Sequence, residues 1–174
     1  MNVDEGFMKN ETELVKRRAN RLPEFDYAQN GVYFLTICTQ NRAQVLSIVS
    51  VGAASGRQPQ VQLTGVGEIV AQTLEEIPLR YSHVSVDHYV IMPDHVHLLL
   101  RVERKSGRPL AAPTVSHIVN QWKGAVTRRL GKATWQKGFY DHIVRDVYDY
   151  QVRWQYMEEN PQRWLQKTEQ LERT

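Results

Sequence analysis

Two histidines separated by one residue are the part of the sequence with the clearest chemical potential. His95 and His97 lie in an apolar run whose composition is typical of a β-strand. Because side chains alternate between the two faces of a strand, both imidazoles point to one side of the sheet and Val96 points into the core. Two imidazoles on one face can chelate a metal ion, but the same spacing is compatible with ordinary histidines on a half-exposed strand.

A third metal ligand and a nucleophile occur near the C-terminal end. Tyr156 and Asn160 stand at positions i and i+4 and therefore share one face of a predicted helix. The amide oxygen of Asn160 would complete a site with the two histidines, and this mixed ligand set suits Mg²⁺ or Mn²⁺, with zinc as an alternative. A tyrosine hydroxyl beside a metal-polarised phosphate is equipped for phosphoryl transfer. The competing interpretation is that Tyr156 is structural and that Asn160, before Pro161, caps a helix.

The remaining segments predict the elements that must position these side chains. The hydrophobic pattern predicts strands at residues 31–38, 84–92, 95–102 and 139–144. It predicts helices at residues 67–78, ended by Pro78, at 115–130, and at 146–159, with a break at Asn160–Pro161 and a short terminal helix beyond it. Surface loops are predicted at residues 52–59 and 104–113. This order favours an α+β domain with helices packed on an antiparallel sheet, close to the ferredoxin-like or RRM-like arrangement, with the hairpin of the second and third strands at its centre.

Length and composition indicate one domain of a cytoplasmic protein. The chain has 174 residues, of which 41% are hydrophobic and 24% are charged, and its net charge of +3 permits a nucleic-acid partner without requiring one. Cys38 is the only cysteine, which excludes an internal disulfide and fits a reducing compartment. No secretory signal is apparent and no apolar run approaches the roughly 20 residues that cross a bilayer, so we expect no membrane partner. We expect a polar tail over residues 1–20 and a single domain over residues 21–174.

Several motifs occur together in the chain. The run Tyr89–Leu98 (YVIMPDHVHL) contains the histidine pair, and Trp154–Pro161 (WQYMEENP) contains Tyr156 and Asn160. The first resembles the HUH motif (histidine, bulky hydrophobic residue, histidine) of single-tyrosine transposases. The second is similar to the tyrosine-bearing helix of REP-associated tyrosine transposases, which are domesticated relatives of insertion-sequence transposases. The likeness extends from about Arg21 to Trp164, and further segments that resemble family landmarks are Asp26-Tyr27, Tyr33–Arg42, Trp135-Gln136 and Tyr140–Arg145.

This resemblance implies a role for each matching residue. His95, His97 and Asn160 would hold Mg²⁺ or Mn²⁺, and Tyr156 would attack a DNA phosphate to give a 5′-phosphotyrosine link and a free 3′-hydroxyl. The implied substrate is single-stranded DNA that carries a hairpin or an imperfect palindrome. Relatives include monomers and dimers that exchange the tyrosine helix, so a monomer and a homodimer are both compatible with the sequence. Asp94 stands where many relatives have asparagine, and we expect the difference to be harmless in a turn.

Basic residues outside this constellation are further candidates for DNA contacts. Lys123 matches a lysine in the long helix of the family, and His142 and Arg145 match an Asp-His-x-x-Arg segment. Charge alone adds candidates on the predicted long helix and in the N-terminal tail, although such residues often form only a solvated face. These additional candidates are Arg128, Arg129, Arg17, Arg18 and Arg21.

Two other functions are compatible with the sequence. A relaxase or replication initiator of the wider HUH group would use the same nicking chemistry, but such proteins usually place the tyrosine elsewhere and carry further domains. A non-catalytic module that binds single-stranded nucleic acid on an RRM-like sheet would need exposed aromatic side chains instead of a His-His-Asn cluster.

Overall fold

The fold combines a four-stranded antiparallel sheet with helices on both of its faces. The computed structural model describes residues 30–51, 58–103 and 113–172. In chain order, its strands and helices are β1 (Gly31–Cys38), β2 (Ser47–Val51), β3 (Pro59–Leu63), α1 (Gly65–Glu75), α2 (Ile77–Arg80), β4 (Val84–Ile91), β5 (His95–Val102), α3 (Val115–Leu130), β6 (Tyr140–Val144) and α4 (Val147–Glu172). The predicted α+β class is confirmed.

The main sheet has the strand order β4-β5-β1-β6, and every neighbouring pair is antiparallel. Together with the helices between the strands, this is the β-α-β-β-α-β arrangement of ferredoxin-like folds. The β4–β5 hairpin forms as predicted, but only β5 is central, because β4 lies at the edge of the sheet. A strand that is hydrogen-bonded on both sides and covered on both faces is a rigid support for side chains, and β5 carries the histidines.

The residues at the ends of helices α1 and α3 explain where these helices begin and where α3 ends. The hydroxyl of Thr64 accepts a hydrogen bond from the backbone N–H of Gly67 at the start of α1. The hydroxyl of Thr114 does the same for His117 at the start of α3, so both are N-caps of the expected kind. Gly131 ends α3 with a φ of 65°, a conformation that glycine adopts without steric cost.

A second, two-stranded sheet was not predicted. Strands β2 and β3 pair in antiparallel register where the sequence indicated mainly loop. The alternation that identifies a half-buried strand is missing here, since Ile48 and Val51 are 59% and 47% exposed. The hairpin is attached to the main sheet by buried Leu46 and by the hydroxyl of Ser47, which donates to the carbonyl of Ile91 at 2.8 Å.

Of the two prolines expected to end helices, only Pro161 does not act as predicted. Helix α1 ends at Glu75, shortly before Pro78. Pro78 lies in the first turn of α2, where its missing N–H has no helical partner to lose. Pro161 lies inside α4, which runs without a break from Val147 to Glu172. An internal proline costs on the order of 3 kcal/mol, and the burial of this face of α4 against the sheet outweighs that local cost. Asn160 is consequently an interior helical residue, and its interpretation as a helix cap is wrong.

Several predicted features lie outside the described residues. They are the polar tail over residues 1–20, most of the linker over residues 104–113, and the candidate DNA-contacting residues Arg17, Arg18 and Arg21. Within the described parts of the chain, no helix has the length and apolar character that a membrane crossing requires.

Candidate active site

The two histidines lie at the start of β5, on the face of the sheet that α4 covers. In the antiparallel pair with β1, His95 is opposite Cys38 and His97 is opposite Thr36. Val96 points to the other face and is buried in the main apolar core, as predicted. His95 is 5% exposed and His97 is 3% exposed. The interpretation of the pair as ordinary histidines on a half-exposed strand is therefore wrong.

The two imidazoles face each other through their Nε2 atoms, which are 3.1 Å apart. Each ring is held from behind at Nδ1, His95 by the carboxylate of Asp94 at 2.6 Å and His97 by the hydroxyl of Thr36 at 2.9 Å. Burial lowers the pKa of His97 well below its ordinary value, and the neighbouring His95 and Arg42 lower it further. His97 is therefore neutral near pH 7, which is the state in which an imidazole binds a metal.

Helix α4 brings the two other predicted site residues to His97. The amide nitrogen of Asn160 lies 3.3 Å from His97 Nε2, and the Tyr156 ring approaches His97 edge-on with 5.2 Å between ring centroids. A half-turn of the amide would place its oxygen where its nitrogen lies, because the two atoms are interchangeable in shape. Phe34 contacts both rings, with centroids 5.2 Å from His97 and 6.0 Å from Tyr156. The four predicted residues therefore converge on one end of the sheet.

These donors have the chemistry of a metal site. The two Nε2 atoms lie within hydrogen-bond distance of each other, at 3.1 Å, and two imidazole nitrogens this close together could also bind one metal ion. Both rings are oriented by an oxygen atom at Nδ1, as is usual for metal-binding histidines. Within residues 30–51, 58–103 and 113–172, no group of three or more His, Cys, Asp or Glu side chains is arranged to hold a metal ion. The amide oxygen of Asn160, together with oxygens of water or substrate, would have to complete the coordination, and Mg²⁺ and Mn²⁺ accept such ligands.

The cluster lies beneath α4 and is closed to solvent. Tyr156 is 8% exposed and Asn160 is 5% exposed. On the next turn of the helix, the Trp164 ring lies 6.2 Å from the His95 ring, and the guanidinium of Arg163 lies 5.3 Å from the centre of the Tyr156 ring. A phosphate group can therefore reach Tyr156 only after a local rearrangement of these covering residues.

Two of the further candidates for DNA contact are engaged in structural bonds. The ammonium group of Lys123 donates to the carbonyls of Gln136 and Gly138 at 2.6 and 2.8 Å, and burial lowers the pKa of this lysine. The ring of His142 lies 2.8 Å from the carboxylate of Asp149 and so links β6 to α4. Neither side chain is part of the cluster around His97.

Three other candidates in the described part of the chain are exposed at the surface. Arg128 and Arg129 are exposed on α3, which packs on the opposite face of the sheet, and Arg129 pairs with Glu76 at 2.5 Å. Arg145 is exposed just after β6. The structure instead adds Asp94 and Thr36 to the site. Asp94 could have been suspected from the sequence because it is adjacent to His95, whereas no sequence pattern indicates Thr36.

Comparison with known proteins reveals a relative over most of the chain. No protein-family model matches. An uncharacterized protein of Haemophilus influenzae is 31% identical in an alignment that covers 86% of this chain and 91% of that protein. The chain belongs to the family of this protein. No function is thereby assigned to the family, because the relative is itself uncharacterized.

Comparison of the structures identifies the fold. The solved structure of a REP-associated tyrosine transposase bound to a REP hairpin covers 84% of this chain and 74% of its own chain, with 19% identity and a TM-score of 0.61. This chain therefore has the same fold as that transposase. A crystal structure from Deinococcus radiodurans covers 82% of this chain and 97% of its own, but its TM-score of 0.47 is too low to support a shared fold.

Proposed function

We propose that this protein is a metal-dependent DNA transesterase of the REP-associated transposase type, which cleaves and rejoins single-stranded DNA at hairpin-bearing sequences. One observation carries the proposal: a tyrosine and an asparagine on α4 meet two histidines on β5. The transposase that shares this fold is described as bound to a REP hairpin, which supports hairpin DNA as the substrate class.

In the proposed reaction, Tyr156 is the nucleophile. The phenolic oxygen forms a bond to phosphorus while the bond from phosphorus to the 3′ oxygen breaks. The phenol loses its proton and the leaving oxygen gains one, which gives a 5′-phosphotyrosine and a free 3′-hydroxyl. A phenol with an ordinary pKa of about 10 is a poor nucleophile near neutral pH. A metal ion held by His95, His97 and Asn160 would polarise the phosphate and stabilise the developing negative charge.

The phosphotyrosine intermediate explains how a small protein can rejoin DNA without ATP. Phosphorus is bonded to four oxygens before and after each step, so attack by a 3′-hydroxyl reverses the first step with little change in bond energy. Hydrolysis of the phosphotyrosine by water is the reaction that competes with rejoining.

The burial of the sheet argues against a non-catalytic binding module of the RRM type. Such modules stack bases on aromatic side chains of an open sheet face. Here Phe34 and Leu99, at the centre of one face, are 1% and 0% exposed beneath α4, and helices α1 and α3 cover the opposite face. The aromatic side chains of the central strand β1, Tyr33 and Phe34, are therefore not available to unpaired bases in this conformation.

The nucleophile is tested with the variant Tyr156→Phe. The substrate is a labelled single strand built from imperfect palindromes found beside the gene, incubated with Mg²⁺ or Mn²⁺. The parent protein should form a covalent protein–DNA adduct that survives denaturing electrophoresis. The Tyr156→Phe variant should still shift the strand in a native gel but should form no adduct, because it lacks only the attacking oxygen.

The matched controls are Tyr148→Phe, at a tyrosine that is 73% exposed on the same helix, and a strand whose palindrome is scrambled. Tyr148→Phe should react like the parent. Normal adduct formation by Tyr156→Phe would refute the assignment of the nucleophile. Equal cleavage of the scrambled strand would favour a relaxase-type or initiator-type nicking activity over a hairpin-directed one.

A further inference from the structure

The turn before the histidines contains a buried carboxylate, Asp94, and each of its two oxygens contacts a basic side chain. Asp94 is 5% exposed, although aspartates in turns usually face water. One carboxylate oxygen lies 2.6 Å from His95 Nδ1, and the other lies 2.8 Å from Nε of Arg42. The backbone carbonyl of Asp94 accepts a hydrogen bond from the N–H of Thr39 at 2.9 Å. The side chain therefore has one orientation available, and it faces His95.

Arg42 reaches this carboxylate from an unusual stretch of backbone. It ends a 3₁₀ turn in which both Asn41 and Arg42 have a φ of 55°, in the left-handed region that residues other than glycine rarely adopt. Besides binding Asp94, its guanidinium donates to the sulfur of Cys38 at 2.8 Å. Strained backbone of this kind persists where the surrounding contacts fix it, and it is concentrated at functional sites.

The two histidines differ in what holds them. Thr36 offers His97 a neutral hydroxyl, which can donate or accept, so this contact by itself does not select a tautomer of His97. The Asp94 carboxylate lies 2.6 Å from His95 Nδ1, and a carboxylate at this position favours the tautomer of His95 that is protonated on Nδ1 and presents Nε2 to the site. A carboxylate behind a metal-binding imidazole also makes the imidazole a stronger donor.

We propose that Asp94 and Arg42 are positioning residues that fix His95 as the dominant, permanently oriented metal ligand of this site. The inference rests on the proposed function, because it assumes that the site binds a divalent metal ion. Arg42 holds the carboxylate in place and neutralises it. The carboxylate can therefore strengthen His95 without adding a net negative charge beside the position where a DNA phosphate must bind.

The first test measures binding of Mn²⁺ alone, by electron paramagnetic resonance or calorimetry, without DNA. Asp94→Ala should bind Mn²⁺ roughly 10- to 100-fold more weakly than the parent. Asp94→Asn should lose less, because its amide oxygen can still accept the proton from His95. Arg42→Gln removes the positive charge that neutralises Asp94, so it should weaken binding of the DNA strand and not of Mn²⁺ alone. The control is Asp87→Asn, which removes another carboxylate bound to an arginine, Arg101 at the far end of β5, and it should leave Mn²⁺ binding unchanged.

The second test needs no metal. Proton–nitrogen correlation spectra of the imidazoles, assigned with a His95→Gln variant, should show His95 protonated on Nδ1 in the parent. In Asp94→Ala the proton should redistribute between the two nitrogens of His95. A parent protein with His95 protonated on Nε2 would overturn the inference whatever the metal binding.

The outcomes separate this inference from the proposed function. If the parent binds Mn²⁺ and forms the DNA adduct, and Asp94→Ala binds Mn²⁺ equally well, only the positioning role is refuted. If the parent binds no Mn²⁺ at all, the metal-dependent function and the positioning role are both refuted.

Discussion

The two faces of the central sheet differ in composition and in what holds them together. On one face, Val96, Leu98 and Leu100 of β5 are sealed by α1 and α3 in an apolar core. On the other face, the same strand presents His95 and His97 to α4, beside a smaller apolar cluster. Because one strand contributes to both faces, the backbone that the apolar core makes rigid is the backbone that positions the histidines.

The comparison shows how the chain tolerates a polar cluster in its interior. An unpartnered polar group buried from water costs roughly 1–3 kcal/mol, so each such group requires a partner. On the face covered by α4, His95 contacts Asp94, His97 contacts Thr36, and Asn160 contacts His97. The opposite face supplies most of the buried apolar surface that stabilises the fold. The α4 face can therefore contain polar side chains that serve a reaction.

The largest expected effect is on stability, and it should distinguish the two faces of the sheet at the adjacent residues Val96 and His97 of β5. Val96→Asp should lower the free energy of unfolding by on the order of 4 kcal/mol, because it places a carboxylate in the apolar core. His97→Gln, which keeps a polar side chain beside Thr36 and Asn160, should lower it less but should abolish adduct formation. Denaturant titration and the DNA adduct assay measure the two effects. An equal decrease in the free energy of unfolding for both variants would mean that the two faces contribute equally to the stability of the fold.

An intermediate effect is expected where α4 meets the histidines. Since Asn160 is an interior helical residue, Asn160→Ser changes helix propensity little and should cost about 1 kcal/mol of stability, from the lost contact with His97. The shorter serine side chain should not reach the metal position, so cleavage should fall at least tenfold.

The matched variant for this position is Asn160→Asp, which keeps an oxygen ligand at the same reach. It should retain measurable cleavage, with an altered preference between Mg²⁺ and Mn²⁺. Parental cleavage by Asn160→Ser would exclude Asn160 as a ligand and would leave the histidine pair without its third protein donor.

The smallest expected effect concerns the link between β6 and α4. Burial lowers the pKa of His142, although the carboxylate of Asp149 opposes the shift. The unfolded chain therefore binds a proton at His142 near pH 6.5, where the folded protein does not, so stability is lost as the pH falls below this value. Across pH 7 to 5, His142→Gln should lose less stability than the parent, by a margin smaller than the other effects. A steeper loss in the variant would mean that protonated His142 stabilises the fold.

Patterns within one element were predicted correctly. The alternation of side chains along β5 placed His95 and His97 on the face opposite Val96, and the helical spacing placed Tyr156 and Asn160 together. Such patterns depend on the repeat of one strand or helix, which neighbouring residues determine. The hairpin of β2 and β3 was missed because its strands are too exposed to show an alternating pattern.

The sequence by itself determined which residues had the chemistry for a metal site and which face of its element each would occupy. Only the tertiary structure decided that Thr36 and Asn160 reach His97 across 61 and 63 residues of chain, since strand register and helix docking are long-range outcomes. The tertiary structure also decided that α4 continues past Pro161. The burial of a whole helical face outweighs the few kcal/mol by which a proline disfavours the helix interior. The continuation of α4 also closes the cluster around His97, because it places Arg163 and Trp164 over Tyr156 and His95.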